Sequence, residues 1–335
     1  MTPTPEEALE QAALAGIHRL PIPTPFAVGK VNAYLIEDEP LTLVDCGPNL
    51  GTSLEALTEA LADHGHALED IGLVLITHNH VDHIGLTEIV VEHSGAEVAA
   101  LGAAAERLAN FEVEAERDDE FAVALMLRSG IPEEIAIALQ SVSSTFRAWG
   151  GPVRVTRPLA DGDTIELGNR RLDAFFRPGH SPMDTVFWDA GRKIGFTGDH
   201  LLPHISSNPL LARPLDGSPG RTRSLAAYLD SLAKTRELPA GAILFGGHGE
   251  PIEDHVRLID TRFASTGRRK EKLLHLLADG PRSGHELAQS MWGNIAVTQA
   301  FLTLSEVIGH MDLLEDEGRV RVVDDGSVIR FEAVA

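Results

Sequence analysis

Four side chains able to hold a metal ion fall within six positions of this sequence, in the segment Thr-His-Asn-His-Val-Asp-His at residues 77–83. The apolar run at 71–76 leads straight into it, so His78, His80, Asp82 and His83 leave a strand end together, where a loop can turn them toward one point. Composition alone would produce a His-x-His-x-Asp-His string in very roughly one such chain in several hundred. Imidazoles and carboxylates this dense are metal ligands far more often than solvated loop residues. The chain has a single cysteine, Cys46, among 335 residues. That excludes an internal disulfide framework and a zinc site built from thiolates, so any metal must be held by imidazole and carboxylate.

Three further groups of the same kind stand in glycine-containing loops. His180 lies in Arg-Pro-Gly-His-Ser at 177–181, after a strand-like run at 171–176. Asp199 lies in Phe-Thr-Gly-Asp-His at 196–200, after a run at 193–196, and His248 in Gly-Gly-His-Gly-Glu-Pro at 246–251, after a run at 242–245. Glycine lets the backbone turn tightly and present one side chain. All four loops can therefore line one sheet edge.

The rest of the pattern gives the frame. Strand-like runs at 17–22, 31–36 and 41–45 are separated by Pro and Gly, and Ser53 reads as an N-cap opening a helix through Leu54, Leu57 and Leu61. Residues from about 102 to 149 read as helical, with Gly130 ending one helix and Pro132 in the first turn of the next. Strands follow at 153–156, 164–167, 171–176, 185–188 and 193–196, then a helix at 222–237 and a strand at 242–245. Such an order predicts sheets with helices packed outside them.

The last 70 residues or so change character. Helical runs at 268–279, 283–291 and 296–317 precede strand-like runs at 319–323 and 327–331, joined through Asp324, Asp325 and Gly326, a hairpin signal. Val297, Ala300, Leu304, Val307, Met311 and Leu314 recur at spacings of three and four, a continuous buried stripe. Three helices and a hairpin make a winged-helix arrangement. The predicted division is a catalytic domain over 1–264 and a winged-helix domain over 265–335, tied by a helix at about 254–278.

Lys and Arg number 28 against 50 Asp and Glu, a formal net charge of −22, which repels phosphate polyanions and anionic membranes. The tail is acidic too, with eight basic and eleven acidic residues over 265–335 and no Lys or Arg over 296–317. A packing or homodimer-forming role therefore suits it better than nucleic-acid contact. No apolar run approaches the ~20 residues that cross a bilayer, and Glu6, Glu7 and Glu10 precede the first basic residue, Arg19, so the chain reads as soluble and cytoplasmic.

These residues resemble the metallo-β-lactamase-fold hydrolase superfamily, over residues 17 to about 265. The resemblance implies an α+β protein built as an αββα sandwich, with a metal pair at one edge and a helical insert at about 102–149. The segments 280–293 and 310–320 resemble the small winged-helix domain appended to some members. The implied ligands are His78, His80 and His180 on one divalent ion and Asp82, His83 and His248 on the second, with Asp199 bridging. Asp82 and Asp199 are the implied catalytic carboxylates. Two zinc ions suit this donor set, and manganese and iron use the same types. Such a pair can share a hydroxide and polarise a carbonyl or phosphoryl group.

Asp199 stands where lactamases with a zinc-binding cysteine carry that Cys, which places the chain near the glyoxalase-II-like branch of thioesterases, lactonases and nuclease relatives. Diiron flavoprotein oxidases would carry Glu in place of His80. The expected activity is hydrolysis of a small thioester, ester or lactone by a metal-bridged hydroxide. The alternatives are a phosphodiesterase or nuclease using the same pair, or a metal-binding regulatory protein. Asp45 matches an acid that orients the ligand loop, and reads equally as a strand-end turn residue. His204 shares the loop of Asp199 and is a candidate for substrate contact, while His200 and His255 read as supporting or surface histidines. Arg213, Arg221 and Arg223 follow Asp199, where they either clamp an anionic group or lie solvated. Phe111, Phe121, Met126, Phe146 and Trp149 in the insert read as core, or as a lid that favours an acyl substrate.

Overall fold

A computed structural model describes residues 3–334. Six strands, β1 (Ile17–Ile22), β2 (Val31–Ile36), β3 (Thr42–Val44), β4 (Leu73–Leu75), β5 (Glu97–Leu101) and β6 (Arg157–Leu159), lie side by side in chain order. β1 to β3 pair antiparallel and β3 to β6 parallel. A second sheet holds β7 (Thr164–Glu166), β8 (Arg171–Phe176), β9 (Thr185–Asp189), β10 (Ile194–Gly198) and β11 (Ile243–Gly246) in the order β11-β10-β9-β8-β7. Only β10 and β11 are parallel in it.

Strand alternation sorts the side chains into layers. Along β2, Val31, Ala33 and Leu35 face one core and Tyr34 and Ile36 the other. The first core includes Leu57, Leu61 and Val90 from α2 (Gly51–Asp63) and α4 (Thr87–Ser94), which follow α1 (Pro5–Leu14) and flank the single-turn α3 (Val81–Ile84). The second lies between the sheets, where Val44 and Leu75 meet Phe187, Phe196 and Phe245. The insert between β5 and β6 is α5 (Ala105–Ala109), α6 (Phe111–Arg128) and α7 (Glu133–Arg147). On the far side, Leu225, Tyr228 and Leu232 of α8 (Ser224–Arg236) and Ile259 of α9 (His255–Leu276) pack on Trp188 and Leu244. Helix, sheet, sheet and helix thus stack as four layers.

The tail consists of α10 (Gly284–Trp292), α11 (Ile295–Thr298) and α12 (Ala300–Asp316), with a small sheet of β12 (Arg282–Ser283), β13 (Val320–Asp324) and β14 (Ile329–Ala333). It does not stand apart. Met126, Ile131 and Ala136 of the insert share one core with Leu273, Leu277, Leu287, Leu304, Val307 and Met311. α9 also runs unbroken through residue 265, so a division at 264/265 falls inside a helix.

Several local readings change. Ser53 is not an N-cap: the helix begins two residues earlier, and the buried Ser53 hydroxyl donates to the Pro23 carbonyl at 2.8 Å. Residues 153–156 are not a strand; pairing with β5 begins at Arg157, although Thr156 N–H already donates to the Val98 carbonyl at 3.0 Å. The helix expected over 296–317 is interrupted at Gln299.

Candidate metal centre

Sheet direction brings the ligand loops together. β3 and β4 are parallel, as are β10 and β11, and β8 is antiparallel to β9, which is antiparallel to β10. The C-terminal ends of β8, β10 and β11 therefore share one edge. His180, Asp199 and His248 follow those ends, while Asp45 follows β3 and the His78 to His83 segment follows β4. Glycines let the loops approach closely. A Cβ on Gly247 would lie 2.5 Å from His83 Cε1 and closer still to Asp199 Oδ1, so any larger residue there would displace two candidate ligands.

Three overlapping groups of donors result: His78 with His80 and His180, Asp82 with His83 and His248, and His78 with His83 and Asp199, which joins the other two. His80 Nδ1 lies 3.0 Å from His78 Nε2 and 2.9 Å from His180 Nε2. Nitrogens around a tetrahedral zinc, bonded at roughly 2.0–2.1 Å, lie about 3.3 Å apart, so this cluster fits one ion with little adjustment. His248 Nε2 is 3.3 Å from Asp82 Oδ2. Asp199 sits between the groups: Oδ1 is 3.5 Å from His83 Nε2, and Oδ2 is 3.6 Å from both His180 Nε2 and His248 Nε2. His83 Nε2 and Asp199 Oδ1 are buried without a hydrogen-bond partner. Burying such atoms unpaired is costly, and a cation satisfies both.

The surrounding hydrogen bonds fix which nitrogen faces inward. Nδ1 of His83, His180 and His248 donates to Asp45 Oδ2, the Asn208 carbonyl and the Lys30 carbonyl, at 2.7, 3.0 and 2.8 Å. His78 Nδ1 donates to Thr77 Oγ1 at 3.0 Å, and that hydroxyl donates to Asp45 Oδ2 at 2.7 Å. These four rings therefore turn Nε2 toward the centre, and His80 turns Nδ1. Burial holds His78 well below its usual range, drives His80 down to about 3 and lowers His180, so this group presents neutral imidazoles. Burial opposes charge on His83 as well, but Asp45, Asp199 and Asp82 outweigh it and raise His83 well above its usual value. Burial likewise works against ionised Asp199, and His83 overcomes it, holding Asp199 well below the carboxylate range. Negative charge thus exceeds positive around His83, a field suited to a divalent cation.

Asp45 is the organiser of this loop. It is buried, sits at φ 56° and accepts from Thr77 N–H at 2.9 Å as well as from the Thr77 hydroxyl and His83. Asp45→Asn loses one of these acceptors. Its expected effect is a ten- to hundredfold weaker metal affinity with the fold intact, measured by competition against a chromophoric chelator; unchanged affinity would reduce Asp45 to a turn residue.

Other sequence candidates land elsewhere. Arg221 is engaged with the tail: its Nη1 and Nη2 grip Asp312 of α12 at 2.6 and 2.5 Å. Arg223 donates to Asp316 at 2.8 Å and to the Asp312 carbonyl at 2.7 Å, and Arg213 to Asp118 and Glu114 of the insert at 2.8 and 2.7 Å. These arginines fasten the loop after Asp199 to the insert and the tail. His204 is exposed and lies outside the residues lining the metal-centre cavity. His200 is buried and bonded to Thr235, and His255 to the Leu238 carbonyl. Phe111 and Phe146 line the cavity while Met126 is core, so the insert contributes both to the packing and to the cavity wall. Cys46 is buried, not a ligand, with its N–H donating to the His83 carbonyl.

Sequence reasoning passed over Thr77, Asn79 and Asn208. Asn79 Oδ1 accepts from Ser181 Oγ at 2.8 Å. Asn208 accepts from His180 and donates through Nδ2 to the Leu302 carbonyl of α12 at 2.9 Å, a hydrogen-bonded line from the tail to a candidate ligand. Thr77 and Asn79 sit within the ligand string itself; nothing in the sequence marks Asn208.

Comparisons with known proteins agree with this geometry. The Metallo-beta-lactamase superfamily profile matches residues 27–248. The chain is 32% identical over 317 residues to the probable metallo-hydrolase YqjP of Bacillus subtilis (strain 168), covering 93% of this chain and 96% of that one. It is 30% identical over 183 residues to the acyl-coenzyme A thioesterase MBLAC2 of Homo sapiens, covering 51% of this chain and 58% of that relative. A metallo-beta-lactamase family protein from Thermus thermophilus matches with a TM-score of 0.81 at 27% identity, over 96% of this chain and 100% of that one. A profile covering the whole ligand set, a relative alike over nearly its full length and a matching fold lead to one conclusion: the chain belongs to the metallo-beta-lactamase superfamily and is a metal-dependent hydrolase.

Proposed function

We propose that the protein is a dinuclear zinc hydrolase of small acyl thioesters, with esters and lactones as the neighbouring substrate classes. The observation that carries this reading is a cavity of about 620 Å³ whose floor includes His80, Asp82, His180, Asp199 and His248. Val28, Phe146, Ile205 and Leu302 line it while remaining 42, 38, 48 and 38% exposed. Four large apolar side chains around one opening mark a surface that meets an apolar ligand. Among the described lining residues the one Lys or Arg is Arg147, and it is paired with Asp119. A phosphodiester finds no unpaired Lys or Arg among the described lining residues. The thioesterase names of MBLAC2 and of the atrochrysone carboxyl ACP thioesterase of Aspergillus fumigatus, 24% identical over 148 residues, support the same substrate class.

In this reading His78, His80 and His180 would hold one ion and Asp82, His83 and His248 the second, with Asp199 a ligand available to either. Bound there, a divalent pair supplies polarisation of the acyl oxygen and an acidified water. The chain does the rest. Asp45 and Thr77 hold the imidazoles in register, Asn79 keeps its amide donors available to the cavity, and the insert limits the water around the acyl carbon. Asp82 and Asp199 are the carboxylates nearest the reacting position. The tail serves as a wall: Arg269, Lys270, Arg319, Arg321 and Arg330 are each paired with a glutamate, which leaves little free charge for a phosphate backbone.

The test is a substrate panel of acyl thioesters, acyl-homoserine lactones, β-lactams and bis-p-nitrophenyl phosphate on zinc-reconstituted protein, with elemental analysis alongside. Thioesters should turn over fastest, chelation should abolish the activity, and zinc should restore it as occupancy reaches two ions per chain. A plateau at one ion ends the dinuclear assignment. Faster turnover of the phosphodiester ends the acyl one.

A further inference from the structure

The metal-centre cavity continues past its ligands. A second cavity of about 330 Å³ adjoins it and shares Asn79, His80, Asp118, Asp119, His180 and Leu210 as lining residues. Beyond that shared collar the wall is largely apolar, with Phe121, Ala122 and Met126 from α6, Leu139 from α7 and Phe301 from α12. Met126 is buried in the core that joins insert and tail, and Leu139 and Phe301 pack against it. The two acids of the collar are each paired, Asp118 with Arg107 of the annex wall and Asp119 with Arg147 of the metal-centre cavity. The annex is therefore an apolar, charge-neutral chamber between insert and tail, with two candidate metal ligands at its entrance.

We propose that this annex is the subsite for the acyl chain of the substrate, an unbranched aliphatic chain running from the metal centre between α6, α7 and α12. The proposal rests on the thioesterase reading for the reaction, though not for the binding. The acyl carbon stays beside the ligands, the chain fills the annex, and the wider mouth is left to the thiol part. Water adds to the acyl carbon, the C–O bond forms as the C–S bond breaks, one proton of the water goes to the departing thiolate and the acid leaves as a carboxylate with release of the other. A methylene takes up about the volume of a liquid water molecule, ~30 Å³, so the chamber accepts a chain of roughly ten carbons. Each methylene that enters should improve kcat/KM about fourfold, until the end wall is reached.

The experiment measures kcat/KM for N-acetylcysteamine thioesters from acetyl to hexadecanoyl on the zinc-loaded full chain. It also measures calorimetric binding of acetate and decanoate. Wild type should rise steeply with length and level off near ten carbons. Ala122→Phe, which fills the annex from α6, should lower the decanoyl-to-acetyl ratio at least about fiftyfold, corresponding to loss of several methylene contacts. Phe301→Ala should move the plateau to longer chains, and it serves as the independent variant if Ala122→Phe does not fold. A flat length profile, or an Ala122→Phe ratio equal to that of wild type, overturns the annex. Decanoate that binds no better than acetate does the same, even where thioesters are cleaved. If no thioester is cleaved but decanoate binds tightly and Ala122→Phe abolishes that binding, the annex stands and the thioesterase reading falls.

Discussion

Asp199→Ala is expected to strip the metal and the activity together. The Asp199 carboxylate lies within 3.6 Å of His83, His180 and His248, three of the nitrogens that would surround two ions. Removing it takes one anionic donor from both positions and leaves His83 with one carboxylate fewer. Loss of the several kcal/mol that metal ions supply to such a transition state lowers kcat/KM by at least about a thousandfold. Metal content after gel filtration should fall in the same sample. His204→Gln is the paired control, because His204 is exposed and outside the cavity lining; its effect should stay within about twofold, as for most surface changes. Metal loss in the His204 variant with retention in the Asp199 variant would mean that the ligand set is wrongly drawn.

Ending the chain after residue 264 is the second large perturbation. It cuts α9 within its length and removes every tail partner of Met126, Ile131, Ala136 and Leu211. Each such side chain contributes about 1.5–3 kcal/mol through burial, and four of them together rival the whole net stability of a domain, about 5–15 kcal/mol. Arg221 and Arg223 would lose Asp312 and Asp316, and Asn208 would lose the Leu302 carbonyl. The truncated protein should aggregate, or melt at a much lower temperature with the insert unprotected in hydrogen exchange, and its activity should fall at least about a hundredfold, the size of effect expected when supporting contacts of a site are lost. Full activity with a protected insert would make the tail a mere appendage. The intact chain should show no salt-sensitive binding to DNA or RNA; micromolar binding that weakens about a thousandfold between 50 and 200 mM salt would revive the nuclease alternative.

The strands and the candidate ligands were legible because both leave local marks. β8 falls at 171–176 as alternation and flanking residues predict, and His78, His80, Asp82 and His83 are adjacent in sequence before they are adjacent in space. Features decided by distant partners were not legible. Arg221 looks the same in sequence whether it meets a substrate or Asp312, ninety-one residues later. Ser53 has the chemistry of a cap, and only the Pro23 carbonyl decides otherwise. Residues 153–156 have strand-like composition but lack ladder partners. The core between insert and tail joins two apolar stripes more than a hundred residues apart, which periodicity cannot pair. α1 is different: Thr4 and Glu7 form a capping box with Pro5 in the first turn, marks that the sequence displays openly, although the pattern of elements read from it begins only at residue 17.

With His180 as a metal ligand, the hydrogen-bonded line from Leu302 through Asn208 to His180 would make tail docking and ion binding linked functions. An ion that binds the docked form better stabilises docking by the same factor by which docking raises its affinity. A substitution in α12, away from the candidate ligands, would then be felt as a change in the metal concentration needed to fill the centre. When the metal is scarce, the tail's packing would then set how much of the protein is loaded, so residues that never touch a metal would weigh on its occupancy.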